Sequence, residues 1–554
     1  MKKLIVSLFA ISVFAAFLIG CPAEPENSGP DPLPVDNGPA LADQLSAEEL
    51  SALFTGLTLK TSLKQKYTDH NPLITHDFGA DPWGLVYEDR VYLYLTGDAL
   101  QYKDGQLMVE AYGNIQTLHI ISSGDMVNWQ DHGHIKIGGA DGLAPWANNG
   151  NGNAWAPCAA YKVLDGKARF FLYWADSSRG IGVLTSASPT GPWTDPLKGY
   201  LVSRETPTCS EAEVVWLFDP AVLVDDDGSA YLYFGGGTDG KPADNPGTGR
   251  VVKLANNMIR LDGDPEQLTV PYLFEDSGIN KIGGTYYYSY CTNWGTGGNN
   301  LGISSSQIAY MTAPTPKGPF TFVAKILNAP TAMFPGTSGE NNHHSMFQFK
   351  GQWYMSYHTE TLEKAMKEAG EMPAQLPHPT TGVLQTDSRY RNPHIDAVTI
   401  NGDDSIELIS GTMAGVAQVG SHDPYKVTEA ETIGVMAGIK LTGDAAASSK
   451  MAVTDIEDGD WLALYGVDFG SAGAKQFSCR VKAPQSGLGA IQIRLDSPEG
   501  TVAASASIKL AEGETGGAYS ELTVDLMQPL TGVHDLVFVF HGEGWEFDQW
   551  RFIQ

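Results

Sequence analysis

The chain has 554 residues, 42% of them hydrophobic, with 62 Gly, 32 Pro and a formal net charge of −29. This length calls for two to four domains, and the Gly and Pro content suits a loop-rich globular β-protein. So acidic a chain excludes nucleic acid and anionic membrane surfaces as partners, whereas a neutral polymer such as a polysaccharide is not repelled. The 12 Trp and 23 Tyr suit sugar stacking, although aromatics also fill β-protein cores.

Residues 1–20 read as an export signal. Lys2-Lys3 give a basic start, Leu4–Leu18 an apolar stretch, and Leu18-Ile19-Gly20-Cys21 a lipoprotein-like ending. Cleavage before Cys21 and acylation of its thiol would leave an exported, lipid-anchored protein, at the periplasmic or the outer face; a simple secretory signal is the alternative. Pro22–Pro39 is too polar to build a core and reads as a tether. A helix is expected over 46–56, with Ser46 as cap and Glu49 completing a capping box. Residues 21–61 are thus tether and short helix, leading into the next domain. The absence of a second long apolar run argues against a membrane-spanning enzyme.

From 62 to 412 five hairpin-like segments recur: Leu85–Leu95, Tyr161–Trp174, Ala221–Phe234, Ile279–Tyr290 and Met346–Tyr357. Each is an apolar run, a turn pair and an aromatic-rich run. The expected turn pairs are Asp89-Arg90, Asp165-Gly166, Asp227-Gly228, Gly283-Gly284 and Lys350-Gly351. Gly-containing pairs supply the positive φ that two-residue hairpin turns need. The spacing, roughly 55–75 residues, leaves room for four strands per unit and suggests blades packed radially. A β-sandwich whose hairpins share turn chemistry is the alternative. Leu362–Gly370 reads as a helical insertion.

Residues 413–424 form a linker. Residues 425–554 carry short alternating strands such as Ala490–Leu495 and His534–Phe540, expected for a β-sandwich of jelly-roll type. The fold expected is therefore all-β, a five-bladed β-propeller followed by a sandwich. Beyond Cys21 there are four cysteines. Cys158 and Cys291 sit in strand-like contexts that favour buried free thiols, and no CxxC or Cys/His spacing points to zinc.

Ahead of the five turns, at a similar offset, stand Asp81, Trp155, Asp219, Glu275 and His343. Equivalent positions in blades converge on one axis, so three carboxylates would meet. Crowded carboxylates raise one another's pKa, and an acid of raised pKa beside an ionised base is the equipment of glycoside hydrolysis. Singly, Asp81-Pro and Asp219-Pro would pass for turn starters and Glu275 for a solvated charge.

The stretches His70-Asn-Pro-Leu, Ala80-Asp-Pro-Trp, Ser122–Gly133, Trp155-Ala-Pro, Phe218-Asp-Pro-Ala, Phe274-Glu-Asp-Ser and Asn342-His-His-Ser resemble glycoside hydrolase family 43. That family consists of five-bladed propellers that act by inversion. Trp216–Pro220, Tyr231–Gly237 and Tyr286–Trp294 bring the chain nearest its arabinoxylan arabinofuranohydrolases. The resemblance implies Asp81 as general base, Glu275 as general acid and Asp219 as the residue that tunes and orients the acid. It places His343 at an axial calcium or water cluster, and Arg391 and Trp155 near the sugar.

The C-terminal part resembles a family 6 carbohydrate-binding module through Glu429-Ala-Glu431, Asp458–Trp461, Ile491–Gly500 and Thr531–Leu536. That resemblance implies a structural calcium on Glu429, Glu431 and Asp548, and a sugar-stacking Trp461. Tyr519 and Glu546 depart from the module's usual Trp and Asn. The expectation is a monomeric glycosidase acting on arabinoxylan or a related plant cell-wall polysaccharide. A β-xylosidase or xylan-cleaving enzyme, and a non-catalytic glycan-binding lipoprotein, are the alternatives.

Overall fold

The computed structural model describes residues 38–337 and 341–554. The export signal, Cys21 and most of the tether lie outside the described residues. Among those described, no helix is long and apolar enough to cross a membrane.

Five antiparallel sheets follow one another between Ala80 and Val398, opening with Ala80–Tyr87, Trp155–Leu164, Ala221–Val224, Leu273–Ile282 and His344–Phe349. These first strands contact one another in sequence, and the last returns to the first. The hairpin expectations hold at Asp165-Gly166, Gly283-Gly284 and Lys350-Gly351, which link paired strand ends with both residues at positive φ. Two turns differ. Tyr87 pairs with Arg90, so the first turn is Glu88-Asp89, with Glu88 at φ 52°. The third spans Asp225–Ser229, closed by a backbone bond between its ends, because three consecutive aspartates favour local side-chain bonding over a tight turn.

The core between the sheets is dominated by wholly buried aromatics, among them Trp174, Tyr94, Tyr173, Tyr233, Tyr288 and Tyr290. The tyrosine hydroxyls find partners, as Tyr94 does at the Pro189 carbonyl, Tyr173 at the Met258 carbonyl and Tyr288 at the Ser277 hydroxyl, whereas Trp174 Nε1 is buried without one. All four described cysteines are buried free thiols.

Helix Ala47–Phe54 carries the full capping box between Ser46 and Glu49. It packs on strands Gly489–Leu495 and Thr501–Ile508 of the C-terminal part. Residues 38–45 do likewise: Ala42 N–H donates to Lys509, Gln44 bonds Ser507, and Ser520 donates to Pro39. The described end of the tether is therefore bound chain. The second expected helix is present at Thr361–Ala369, stopped by left-handed Gly370.

The C-terminal part packs two antiparallel sheets face to face over a core of Phe477, Phe538, Phe540, Phe547, Trp550 and Phe552. It is joined to the first sheet by more than a linker. Thr432–Ile433 adds a fifth strand beside Trp129–Lys136. Asn128 bonds the backbone of Tyr465 in both directions, and the buried Lys64 ammonium donates to Gly434.

Candidate active site

Asp81, Asp219 and Asp276 adopt left-handed φ of 50°, 51° and 65°, and Ala156 does so at 41°. Each stands near the start of the first strand of its sheet, and in three of the four a register shift interrupts pairing there. Such bulges re-aim side chains, and left-handed non-glycine residues cost about 1–3 kcal/mol each, a strain that collects at functional sites. The equivalence of backbone corrects the repeat phase read from sequence. Asp276, not Glu275, matches Asp81 and Asp219; Glu275 and Trp155 each sit one residue earlier.

These strand ends frame a cavity of about 290 Å³. It brings together Asp81, Asp219, Glu275, His343, Arg391 and Trp155, all six residues expected there. Trp216, Phe218, Phe274 and Trp294 complete an aromatic wall. Trp294 stands 42% exposed at its outer part, edge-on to Phe274 with ring centroids 4.3 Å apart. The wall offers faces for a sugar ring, while the polar groups converge at the floor.

Asp81 is fixed from both sides. Its Oδ2 accepts from Thr96 at 2.6 Å and its Oδ1 from Arg391 at 3.0 Å. Its backbone N–H donates to His358 Nδ1 at 3.1 Å. Burial alone would raise its pKa, but the Arg391 guanidinium, with His343 and His358, outweighs burial and holds the carboxyl well below the usual range. Asp81 is therefore ionised. Glu275 goes the other way: burial first, then the charges of Asp219, Asp81 and Asp276, push it well above the ordinary carboxylate value. Its Oε1 accepts from Asn341 at 2.7 Å. Asp219 is likewise raised, chiefly by burial. Its Oδ2 accepts the Asp276 N–H at 2.8 Å, which pins the backbone next to Glu275.

Arg391 is an interior residue. It grips Asp98 through Nε and Nη2, both at 2.8 Å, reaches Asp81 and Asn341 through Nη1, and lies over the Tyr112 ring. Trp155 is tied by its Nε1 to the Tyr112 carbonyl at 2.8 Å.

His343 sits among carboxylates at the floor of the cavity. Its Nδ1 stands 3.5 Å from Asp81 and its Nε2 3.0 Å from Asp276. Burial lowers its pKa, but Asp276, Asp81 and Asp219 more than reverse this and hold it above the ordinary imidazole value. His343 belongs to neither of the two groups of potential metal ligands found among the described residues.

Trp461 also needs correction. It is only 4% exposed, packs with Phe54, Leu53, Leu57 and Tyr67, and donates its Nε1 to the Lys60 carbonyl at 2.8 Å. The N-terminal segment covers the face that was expected to stack on sugar. Tyr519 and Glu546 bond each other at 2.6 Å, and Lys482 bridges Glu546 to Asp444. The positions that depart from the module's pattern are thus committed to one another.

The expected calcium ligands fit in part. Glu431 Oε2 is buried without a partner, and burial, then Glu429, pushes Glu431 well above the ordinary value. Burial pushes Glu429 up to about 7. Arg480 pulls Glu429 down but does not offset burial and the charge of Asp548. Asp548 is committed elsewhere: Arg480 grips its Oδ2, and Ser448 N–H donates to its Oδ1 at 3.0 Å.

Sequence reading missed Asp276, Asn341, Asp98 and Thr96. Only Asp276 carried a signal, standing beside Glu275 in Phe274-Glu-Asp-Ser277.

The model of glycosyl hydrolases family 43 matches residues 70–375, more than half of the chain. The chain belongs to glycoside hydrolase family 43. The family 6 carbohydrate-binding module matches residues 429–554. An arabinoxylan arabinofuranohydrolase of Bacillus subtilis (strain 168) is 41% identical over 515 residues, 89% of this chain and 94% of the relative. One of Paenibacillus polymyxa is 42% identical over 500 residues, 87% of this chain and 74% of the relative. A solved family 43 arabinoxylan arabinofuranohydrolase from Bacillus subtilis, in complex with cellotetraose, superposes with a TM-score of 0.81 at 40% identity, covering 89% of this chain and 99% of that one.

Proposed function

We propose that this family 43 glycosidase releases α-L-arabinofuranosyl side groups from arabinoxylan by single-displacement inversion. The observation that carries the proposal is one cavity that sets Asp81, held low by Arg391, and Glu275, pushed well above the ordinary carboxylate range by burial and its acidic neighbours, against an aromatic wall. The similarity of nearly the whole chain to arabinoxylan arabinofuranohydrolases supports the choice of substrate.

In this reading the furanosyl ring lies against the wall near Trp155 and Trp294. Asp81, with one lone pair of each oxygen committed to Thr96 and Arg391, uses another to accept the proton of an attacking water. Glu275 gives its proton to the departing xylose oxygen. Asp219 keeps Glu275 protonated by its charge and aims it through the Asp276 backbone. The five sheets are read as five propeller blades, supported by the cycle of contacts among their first strands. Residues 62–412 form this domain and 425–554 the module. Calcium is proposed at Glu429 and Glu431, where it would offset the burial and mutual repulsion of the two carboxylates. Lys2-Lys3, Leu4–Leu18 and Cys21 support export and lipid anchoring, and a monomer is proposed.

The test is product analysis on arabinoxylan beside xylo-oligosaccharides and arabinan. Arabinose should dominate, with the xylan backbone left long. Xylose or short xylo-oligomers as the main product would overturn the reading.

A further inference from the structure

Behind the first sheet lies a cluster that the glycosidase chemistry does not use. His119 on strand Thr117–Ser123 stands directly opposite His134 on strand Trp129–Lys136, and the two rings stack at 4.4 Å. Asp77, from the loop before the first strand, reaches in and sits 2.6 Å from His134 Nε2. One potential ligand atom from each of these three residues lies within 4.8 Å of the others.

His119 supplies an independent sign of a ligand. It is 0% exposed. Its Nε2 stands 2.9 Å from both oxygens of Asp131, which fixes the proton on that nitrogen. Its Nδ1 therefore carries a lone pair, and it is buried with no hydrogen-bond partner. Asp131 is itself held by the Gly133 N–H and by His76, each at 2.6 Å. A carboxylate, itself anchored, that orients an imidazole and leaves its other nitrogen free is the usual support of a metal-ligating histidine.

We propose that Asp77, His119 and His134 bind one divalent transition-metal ion of the zinc class. Two imidazoles and one carboxylate suit zinc, copper or nickel; calcium wants six to eight oxygens. The half-exposed side of Asp77 and His134 leaves room for water as a fourth ligand. Bonds of about 2.0–2.1 Å place tetrahedral ligand atoms roughly 3.3 Å apart. Asp77 and His134 must therefore separate by about 0.7 Å, the two stacked rings must tilt so that a lone pair of each meets the ion, and the proton between Asp77 and His134 leaves as the metal enters. The ion would clip the loop that leads to Asp81 onto the second hairpin of the first sheet. The cluster stands close behind the base: a Cβ on Gly97 would meet His134 Nδ1 at 3.0 Å, and Gly97 follows Thr96, the partner of Asp81.

The test uses tag-free, metal-stripped full-length protein titrated calorimetrically with ZnCl2, with CaCl2 as competitor. Thermal melts with and without zinc give the second readout. The wild type should take up one equivalent and melt at higher temperature with zinc. His134→Ala and Asp77→Ala, both at partly exposed positions, should lose at least about tenfold in zinc affinity and lose the melting shift. Cobalt(II) should give an intense visible band in the wild type and not in His134→Ala. No zinc uptake by the wild type, equal uptake by both variants, or displacement of zinc by equimolar calcium would each overturn the proposal.

Discussion

Trp461→Ala distinguishes a sugar platform from a structural wedge. The indole is 4% exposed, fills the space between the C-terminal sheet and the N-terminal segment, and donates to the Lys60 carbonyl. Truncating a buried Trp to Ala costs about 3–5 kcal/mol through lost burial and the residual cavity. Stranding the Lys60 carbonyl adds about 1 kcal/mol. The sum, about 4–6 kcal/mol, is large against the total stability of a single domain. With a urea m-value of about 2 kcal/mol per molar, the unfolding midpoint falls by roughly 2–3 M. Trp461→Phe keeps most of the packing and loses the donor, so its cost is about 1–2 kcal/mol. The assay is urea unfolding of the full chain followed by tryptophan fluorescence, beside pull-down on insoluble arabinoxylan at low temperature, where the variants remain folded. Retention should be unchanged. An unchanged midpoint together with lost retention would refute the reasoning and restore the stacking role.

Asp219→Asn removes a negative charge that raises Glu275, so the acid loses its proton at lower pH; the alkaline limb of the kcat/KM profile should move down, and an unmoved limb would contradict the role of Asp219. Arg391→Met removes the largest influence holding Asp81 down, so its pKa rises toward the ordinary range. Because the base must be ionised, the acid limb should move up, and activity at mildly acidic pH should fall more than at neutral pH.

The all-β architecture was legible because turn residues and aromatic runs recur, and both expected helices were marked by their ends, Ser46 with Glu49 and Gly370. The meeting of Asp81, Asp219 and Glu275 in one cavity was legible because Asp-Pro recurs and Glu275 stands near the same phase. The exact phase was not, because it is set by left-handed backbone at Asp81, Asp219 and Asp276, and pattern does not reveal φ. Trp461 was misread because its cover is remote in sequence: Tyr67 and Lys60 contact it, and Leu53, Leu57 and Leu59 pack against the cluster it belongs to. The His119–His134 pair was missed for a related reason, since its ligands meet through strand register rather than a short spacing. Asn341 and Asp98 reach the site through loops whose sequence carries no signal of destination.

The central claim is that Glu275 is the proton donor and Asp81 the base. The direct measurement compares Glu275→Gln and Asp81→Asn on arabinoxylan and on an aryl arabinofuranoside whose leaving group departs without protonation. Both variants should lose about 10²–10⁴-fold on arabinoxylan. On the aryl substrate Glu275→Gln should regain most of its rate, while Asp81→Asn stays low because water must still be activated. Equal losses of Glu275→Gln on both substrates, or a wild-type rate for either variant on arabinoxylan, would contradict the assignment.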